Sequence, residues 1–365
     1  MIQEELIRRK LPGLLTMNDG TAVTAENWEQ RKKELIDCLS ENLFGYTPSE
    51  PVQVRAEPAG TNRYFAFAGK AKDELYRLTF DTPTGEFTFP IEVIVPTGAE
   101  KPAVILYMSI NNNYPIPMEE IVDNGFAVVK FFYGDVEPDD TPESYFASFR
   151  GGLGEKYFCG QKRRDTQWGK VGLWAYAASR VMDYLQTRND MNTERVAVVG
   201  HSRLGKTALW CKAQDPRFYL AFGNNTNYGG GGLIRGHMGE DVPDFIKKGS
   251  YDFFCEGWKK FENVPHEQLP FDQHFLMACQ APGLVYLTGA VGDAGMDPLS
   301  EFLSCHAASS VYKMLGKKGI VSKDEFPKPG NVYHEGEIGF HVREGGHFLR
   351  REDWQLFMEF FKKHI

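Results

Sequence analysis

The stretch that decides the fold is RVAVVGHSRLGKT, residues 195–207. Residues 196–199 form a short apolar run of the kind that makes a central strand covered on both faces. The run ends at Gly200, and a helix-forming segment follows without a linker. Strand, tight turn and helix in direct succession are typical of α/β proteins, in which ligands bind at the carboxyl ends of parallel strands. The sequence therefore places its first candidate functional groups in this turn.

Apolar runs of strand length recur along the chain and alternate with helical patterns. They lie at residues 103–108, 127–132, 195–199, 219–223, 284–290 and 337–342, with the clearest helical patterns at residues 171–186 and 351–363. This alternation predicts a mostly parallel central sheet with helices on both faces, a three-layer α/β sandwich. Three earlier β-like stretches, at residues 63–67, 75–80 and 87–95, predict an antiparallel entry into the sheet.

The whole chain is expected to form one domain. We find no linker, internal repeat or low-complexity tract, so the predicted domain spans residues 1–365, with an N-terminal helical segment (residues 1–50) packed on it. Within that segment an amphipathic helix is predicted over residues 24–43, ending at Gly45. A hydrophobic content of 42% is enough to bury a large core.

Charge and hydropathy argue against two classes of partner. The formal net charge of -8 does not suit nucleic acid, which binds basic surfaces. No apolar run approaches the length of about 20 residues that crosses a bilayer, so no membrane contact is expected. The N-terminus lacks the basic and apolar regions of a signal peptide. This predicts a cytoplasmic protein, or a secreted one if a leader has been removed.

The turn after the decisive strand has two interpretations. Residues 200–207, GHSRLGKT, match G-x-x-x-x-G-K-[ST], the phosphate-binding P-loop of nucleotide-binding proteins. They also resemble the nucleophile elbow G-x-S-x-G, although Leu204 stands where the second glycine belongs. Only the elbow requires a histidine, because its serine is inert until a base accepts the hydroxyl proton. P-loops also tend to follow an early strand, whereas this turn lies beyond the middle of the chain, so the elbow is favoured.

A base and an orienting acid follow in the order of the α/β-hydrolases. His347 comes after the strand near residue 342 and a Gly-rich turn, just before the last helix, and Asp293 lies just past the strand at residues 284–290. We therefore expect an α/β-hydrolase fold with Ser202 as nucleophile, His347 as general base and Asp293 orienting the histidine. Asp297, which precedes a proline, is expected to cap a helix, although the sequence leaves open which aspartate completes the triad.

No cofactor or metal is expected. The chain has no H-e-x-x-H pair, and its six cysteines have neither C-x-x-C spacing nor a ligand-like spacing to histidine. His341 is expected to pack within its strand, and His274 to be a hydrogen-bonded core residue.

Several separated motifs resemble the glucuronoyl esterases, carbohydrate esterase family 15. The two strongest are residues 200–206, similar to the family's G-x-S-R-x-G-K, and residues 341–347, similar to H-x-R-x-G-x-H. Further similarities, in the same order over most of the chain, lie at residues 168–175, 271–274, 297–302 and 353–354. The resemblance implies an α/β-hydrolase that cleaves esters between the glucuronic acid of xylan and alcohols of lignin. It also favours the elbow over the P-loop.

The resemblance implies roles for three further residues. Arg203 would help to stabilise the oxyanion, while Lys206 and Glu240 would contact hydroxyl groups of the sugar. Independently of the resemblance, the backbone N–H of Arg203 at the start of a helix is a donor aimed at the developing oxyanion.

Two departures from the family pattern concern the acid and the substrate. Residues 224–227, NNTN, contain no carboxylate where some members carry the triad acid, and Gly295 replaces a tryptophan that covers the sugar in others. The expected function is a serine esterase acting on a small-molecule or oligosaccharide ester, most directly a 4-O-methyl-glucuronoyl ester. A sugar or acetylxylan O-deacetylase with the same triad is the alternative.

Overall fold

The computed structural model describes residues 1–60, 62–110, 116–139, 151–159, 161–247, 251–293 and 295–365. Its helices are α1 (Ile2–Arg9), α2 (Trp28–Leu39), α3 (Met118–Asp123), α4 (Leu153–Phe158), α5 (Lys170–Leu185), α6 (Arg203–Gln214), α7 (Val242–Lys247), α8 (His274–Ala278), α9 (Pro298–Met314) and α10 (Arg351–Lys363). Its strands are β1 (Val54–Pro58), β2 (Arg63–Ala66), β3 (Ala71–Thr82), β4 (Gly85–Pro96), β5 (Ala103–Ser109), β6 (Ala127–Phe132), β7 (Asn192–His201), β8 (Leu220–Asn224), β9 (Leu284–Ala290), β10 (Val332–Tyr333) and β11 (Ile338–Arg343).

The described strands form one sheet in the order β1-β3-β4-β6-β5-β7-β8-β9-β11-β10, with β2 paired to β3. The neighbours from β6 to β11 are parallel, because helices connect them across the faces of the sheet. The strands β1 to β4 pair antiparallel, and β4 joins the parallel part through β6. This topology confirms the predicted α/β class and its antiparallel entry.

Two apolar cores lie on the two faces of the sheet. One contains Val171 and Trp174 of α5 and Leu209 of α6, and it extends to apolar residues of the N-terminal segment. The other contains Trp354 and Phe357 of α10. No described helix is both long enough and apolar enough to span a membrane.

Helix α2, which the sequence predicts over residues 24–43, starts later than predicted. It begins at Trp28 because residues 24–27 form a turn, in which the Thr24 N–H donates to Asn27 Oδ1 at 2.7 Å. It ends in a π-helical turn, Ser40–Phe44, followed by Gly45 at φ 83°. A Cβ at Gly45 would lie 2.3 Å from Trp168 Cα, so this close passage requires glycine.

A buried ion pair fixes the start of α5. Lys170 Nζ lies 2.8 Å from Asp252 Oδ2, and both side chains are 1% exposed. Burial is the largest influence on the Asp252 carboxyl and raises its pKa, while the Lys170 charge opposes that rise. Removing one member of such a pair leaves the other charge without its ionic partner in a medium that solvates it poorly.

Asp252→Ala is therefore expected to lower the free energy of unfolding by about 3–5 kcal/mol. Urea denaturation followed by tryptophan fluorescence would measure the change. The matched control is Asp324→Ala, which removes an exposed partner of the N-terminal amine and is expected to leave the unfolding midpoint unchanged. Equal effects of the two substitutions would contradict this account.

Candidate active site

Ser202 stands in a strained turn between β7 and α6. Its backbone has φ 56° and ψ -123°, a region that non-glycine residues rarely occupy. The Ser202 N–H donates to the Asn224 carbonyl at 2.8 Å, and the Ser202 carbonyl accepts from the Lys206 N–H at 3.1 Å. These two bonds hold the turn between β8 and the first turn of α6. The Ser202 side chain is thereby presented at the carboxyl end of the sheet, as in a nucleophile elbow.

Two glycines make the turn possible. A Cβ at Gly200 would lie 2.0 Å from the Leu204 carbonyl oxygen, and a Cβ at Gly205 would lie 2.8 Å from Thr226 Cγ2. The helix thus packs closely against β8 at Gly205, one residue later than in the G-x-S-x-G pattern. Leu204 is therefore compatible with the elbow, because the position that needs glycine is the next one.

The structure brings His347 and Asp293 together. His347 Nδ1 lies 2.5 Å from Asp293 Oδ2, and the two side chains are 36% and 9% exposed. The Gly295 N–H and the Asn225 side-chain amide also donate to the Asp293 carboxylate, at 3.3 and 3.4 Å. With Nδ1 donating to the carboxylate, the other ring nitrogen of His347 is the one available as a base.

Asp297, the other candidate for the triad acid, caps a helix and does not contact His347. It is the N-cap of α9, and its Oδ1 accepts from the Ser300 N–H at 3.1 Å. Its Oδ2 accepts from the Met238 N–H at 2.9 Å. The structure therefore places Asp293, and not Asp297, against the histidine.

His201 packs beside His347 without competing for its role. The two rings are 4.5 Å apart, and His201 Nδ1 lies 2.5 Å from Asn224 Oδ1. Burial, reinforced by the neighbouring His347, lowers the pKa of His201 to about 3. His201 is thus neutral at ordinary pH and donates from Nδ1 to Asn224.

A buried network that the sequence analysis did not identify supports the His347 loop. Arg343 Nε donates to Asp353 Oδ1 at 2.7 Å, and His341 Nε2 lies 2.8 Å from the same oxygen. The Arg343 guanidinium also donates to the carbonyls of Glu344 and Gly346, at 3.1 and 3.3 Å. The alternation of β11 places residues 341 and 343 on the same face, which is the signal that could have paired them.

Arg203 points its guanidinium toward a buried carboxylate. Arg203 Nη1 lies 2.5 Å from Asp139 Oδ2, and Asp139 is 1% exposed. The guanidinium carbon is 5.1 Å from the centre of the Phe253 ring. Both contacts restrict the rotamer of Arg203 beside the nucleophile. Asp139 lies in an irregular segment after β6, so no pattern in the sequence connects it with Arg203.

Lys206 lies beneath the elbow, and it is not a solvated lysine of a first helical turn. Its side chain is fully buried, and Nζ donates to the Thr226 carbonyl. Burial lowers the pKa of the Lys206 amine to about 8, while the carboxylates of Glu240 and Glu301 favour its charged form. The strained serine and the histidine–carboxylate pair beside it, and not this lysine contact, favour the elbow over the P-loop, which requires no histidine.

Glu301, to which the sequence analysis assigned no role, binds the segment that follows β8. Its Oε1 accepts from the N–H groups of Thr226 and Asn227 at 2.8 and 2.9 Å and from the Thr226 hydroxyl at 2.6 Å. Burial raises the pKa of Glu301 to about 6. It therefore fixes the segment whose carbonyl binds Lys206.

Glu240 lies next to the turn of the triad acid. A Cβ at Gly295 would be 3.5 Å from Glu240 Cγ and 3.8 Å from Asp293 Oδ1, which are ordinary contact distances. The Glu240 N–H donates to the Gly295 carbonyl at 3.2 Å. The structure thus brings the six predicted site residues into one region around the elbow: Ser202, Arg203, Lys206, Glu240, Asp293 and His347.

The arrangement suits acyl transfer. It holds a serine on a strained turn, an imidazole bonded to a carboxylate, and the N–H of Arg203 at the start of a helix. Among the described residues, no group of three or more His, Cys, Asp or Glu side chains could hold a metal ion.

Comparisons with known proteins identify relatives of this chain. A sequence model described as glucuronyl esterase, fungi, matches residues 79–316. A carbohydrate esterase from an unknown prokaryotic organism is 29% identical, over 97% of this chain and 89% of its own length. The 4-O-methyl-glucuronoyl methylesterase 1 of Wolfiporia cocos is 28% identical, over 89% of this chain and 76% of its own. A solved glucuronoyl esterase of carbohydrate esterase family 15 from Teredinibacter turnerae has a TM-score of 0.87 at 26% identity, covering 98% of this chain and 90% of that one.

The two aspartates can be separated by kinetics on a small activated ester without a sugar, such as p-nitrophenyl acetate. Asp293→Ala is expected to lower kcat roughly 10³- to 10⁴-fold, because the histidine loses its orienting carboxylate. Asp297→Ala is expected to change kcat less than about 3-fold and to lower the free energy of unfolding by about 1–2 kcal/mol, as a lost N-cap does. Equal losses of kcat in the two variants would exclude Asp293 as the distinct triad acid.

Proposed function

Because this chain belongs to the glucuronoyl esterases of carbohydrate esterase family 15, we propose that it hydrolyses a 4-O-methyl-glucuronoyl ester of the xylan–lignin type through a Ser202–His347–Asp293 triad. As a member of that family the chain is a carboxylic ester hydrolase. The observation that carries the triad is the 2.5 Å contact between His347 and Asp293 near the strained Ser202 elbow. Support for the substrate comes from the relative in Wolfiporia cocos, whose name states a 4-O-methyl-glucuronoyl methylesterase.

The reaction passes through an acyl-enzyme. His347 accepts the proton of the Ser202 hydroxyl as the serine oxygen bonds to the ester carbonyl carbon, and Asp293 stabilises the imidazolium that forms. The carbonyl oxygen becomes an oxyanion near the Arg203 N–H and guanidinium. The tetrahedral intermediate collapses, and the alcohol leaves with the proton from His347. A water molecule, deprotonated by the same histidine, then hydrolyses the acyl-enzyme and restores Ser202.

Lys206 and Glu240 are proposed to bind the sugar part of the substrate. Lys206 supplies a cationic donor, and Glu240 supplies an acceptor on the neighbouring loop, so together they suit hydroxyl groups of a pyranose. The neighbouring turn of the triad acid has Gly295, where a Cβ would make only ordinary contacts with Glu240 and Asp293. Because no large side chain at position 295 covers the sugar, a second candidate substrate is an acetylated sugar cleaved by the same triad.

The test compares hydrolysis of a methyl or benzyl glucuronate ester with that of acetylated xylo-oligosaccharides. We expect a higher kcat/KM for the glucuronate ester, and Ser202→Ala is expected to lower kcat on the order of 10⁴-fold or more. A preference for acetyl groups would keep the triad and reject the proposed substrate. Normal activity in Ser202→Ala would reject the mechanism itself.

The titration of Lys206 predicts how substrate affinity depends on pH. With its pKa lowered to about 8 by burial, the amine is charged at neutral pH and loses its proton as the pH rises through that value. A neutral amine binds a hydroxyl more weakly than an ammonium does, so KM for the glucuronate ester is expected to rise roughly 5- to 10-fold between about pH 7 and 9.

The control for this prediction is Lys206→Gln, which keeps a donor but cannot titrate. Its KM is expected to be higher than that of the wild type at pH 7 and to stay flat up to pH 9. A rise of the same size in the variant would show that another group is responsible.

A further inference from the structure

The loop that carries Glu240 closes around a histidine ring. His237 Nδ1 lies 2.6 Å from the Ile234 carbonyl oxygen, and His237 Nε2 lies 3.0 Å from the Glu240 carbonyl oxygen. Both partners are carbonyl oxygens, which only accept, so each contact is a hydrogen bond when the ring nitrogen that faces it carries the proton. One side chain thus joins the two ends of the segment 234–240.

The two ends of this segment are fixed to different parts of the fold. At one end the Ile234 N–H donates to Asp272 Oδ1 at 2.7 Å, and Asp272 is fully buried. At the other end the Glu240 N–H donates to the Gly295 carbonyl at 3.2 Å, in the turn of the triad acid. The His237 ring therefore sets the distance between a rigid core anchor and the position of Glu240.

A second histidine, a carboxylate and two glycines surround the ring of His237. The His266 ring is 5.3 Å away, and His266 Nε2 lies 3.0 Å from Asp241 Oδ2. The Asp241 carboxylate interacts electrostatically with His237 and His266 alike. Gly236 at φ 67° and Gly239 at φ 100° let the backbone turn on either side of His237, where other residues would be strained.

We propose that His237 is a positioning residue that holds Glu240 in the place where it binds the sugar, without itself touching the substrate. The proposal rests on the sugar-binding role of Glu240 stated above. It assigns the decisive contact to His237 Nε2 and the Glu240 carbonyl. The Nδ1 contact with Ile234 orients the ring.

Two amide substitutions separate these contacts. In His237→Gln the side-chain nitrogen reaches the place of Nε2 and keeps the bond to the Glu240 carbonyl. In His237→Asn it reaches only the place of Nδ1 and keeps the bond to Ile234. We expect His237→Asn to raise KM for methyl glucuronate roughly 10-fold with kcat nearly unchanged, and His237→Gln to raise KM by about 2-fold or less.

Controls distinguish positioning from general damage to the fold. Hydrolysis of p-nitrophenyl acetate, which has no sugar, is expected to stay within about 2-fold of the wild type in both variants. The matched control is His364→Asn, because His364 Nδ1 also contacts a backbone carbonyl, that of Phe360 at 2.8 Å, at the far end of α10. That variant is expected to keep the wild-type KM.

A double-mutant cycle with Glu240→Ala decides the assignment. If His237 acts through Glu240, His237→Asn adds no further increase in KM once the Glu240 side chain is gone. Additive effects on KM, or equal effects of the Asn and Gln variants, would overturn the proposal while the proposed esterase function stands. A wild-type enzyme that cleaves p-nitrophenyl acetate but not methyl glucuronate would overturn this proposal and the proposed glucuronoyl substrate, while the triad mechanism would stand.

Discussion

The close packing of β7, β8 and α6 leaves the backbone at Ser202 one way to turn, and the rest of the site depends on it. Gly200 and Gly205 allow approach distances that a Cβ would block, and Ser202 takes φ 56° between them. The helix starts at the next residue, so the Arg203 N–H lies in its first turn beside the nucleophile and Lys206 lies one turn further, bonded to the Thr226 carbonyl. A longer loop between β7 and α6 would displace Ser202, the Arg203 N–H and Lys206 together.

Charged groups around the elbow lie next to opposite charges or strong donors. Arg203 faces Asp139, Lys206 lies between Glu240 and Glu301, and Glu301 accepts three hydrogen bonds from the segment after β8. Buried charges are costly to bring out of water, and such pairs seldom add net stability. Their consequence here is geometric, since each contact restricts a side chain or loop at the site.

Much of the fold followed from local patterns. Short apolar runs alternating with helical segments predicted the parallel sheet, because strands covered on both faces must be apolar throughout. The helix predicted over residues 24–43 ends at Gly45 as expected, but it begins only at Trp28, because the Asn27 side chain accepts from the Thr24 N–H and holds residues 24–27 in a turn. That contact depends on a polar side chain, so it does not appear in the apolar periodicity.

The sequence by itself determined which chemical groups are present and their order at the strand ends, and its motifs identified the family. The tertiary structure decided which aspartate faces His347, that Lys206 is buried, that Asp139 binds Arg203, and that His237 spans its loop. The physical reason is the range of the forces involved. Strand and helix patterns repeat over a few neighbouring residues, whereas each of these decisions depends on angstrom-scale packing between segments or within an irregular loop.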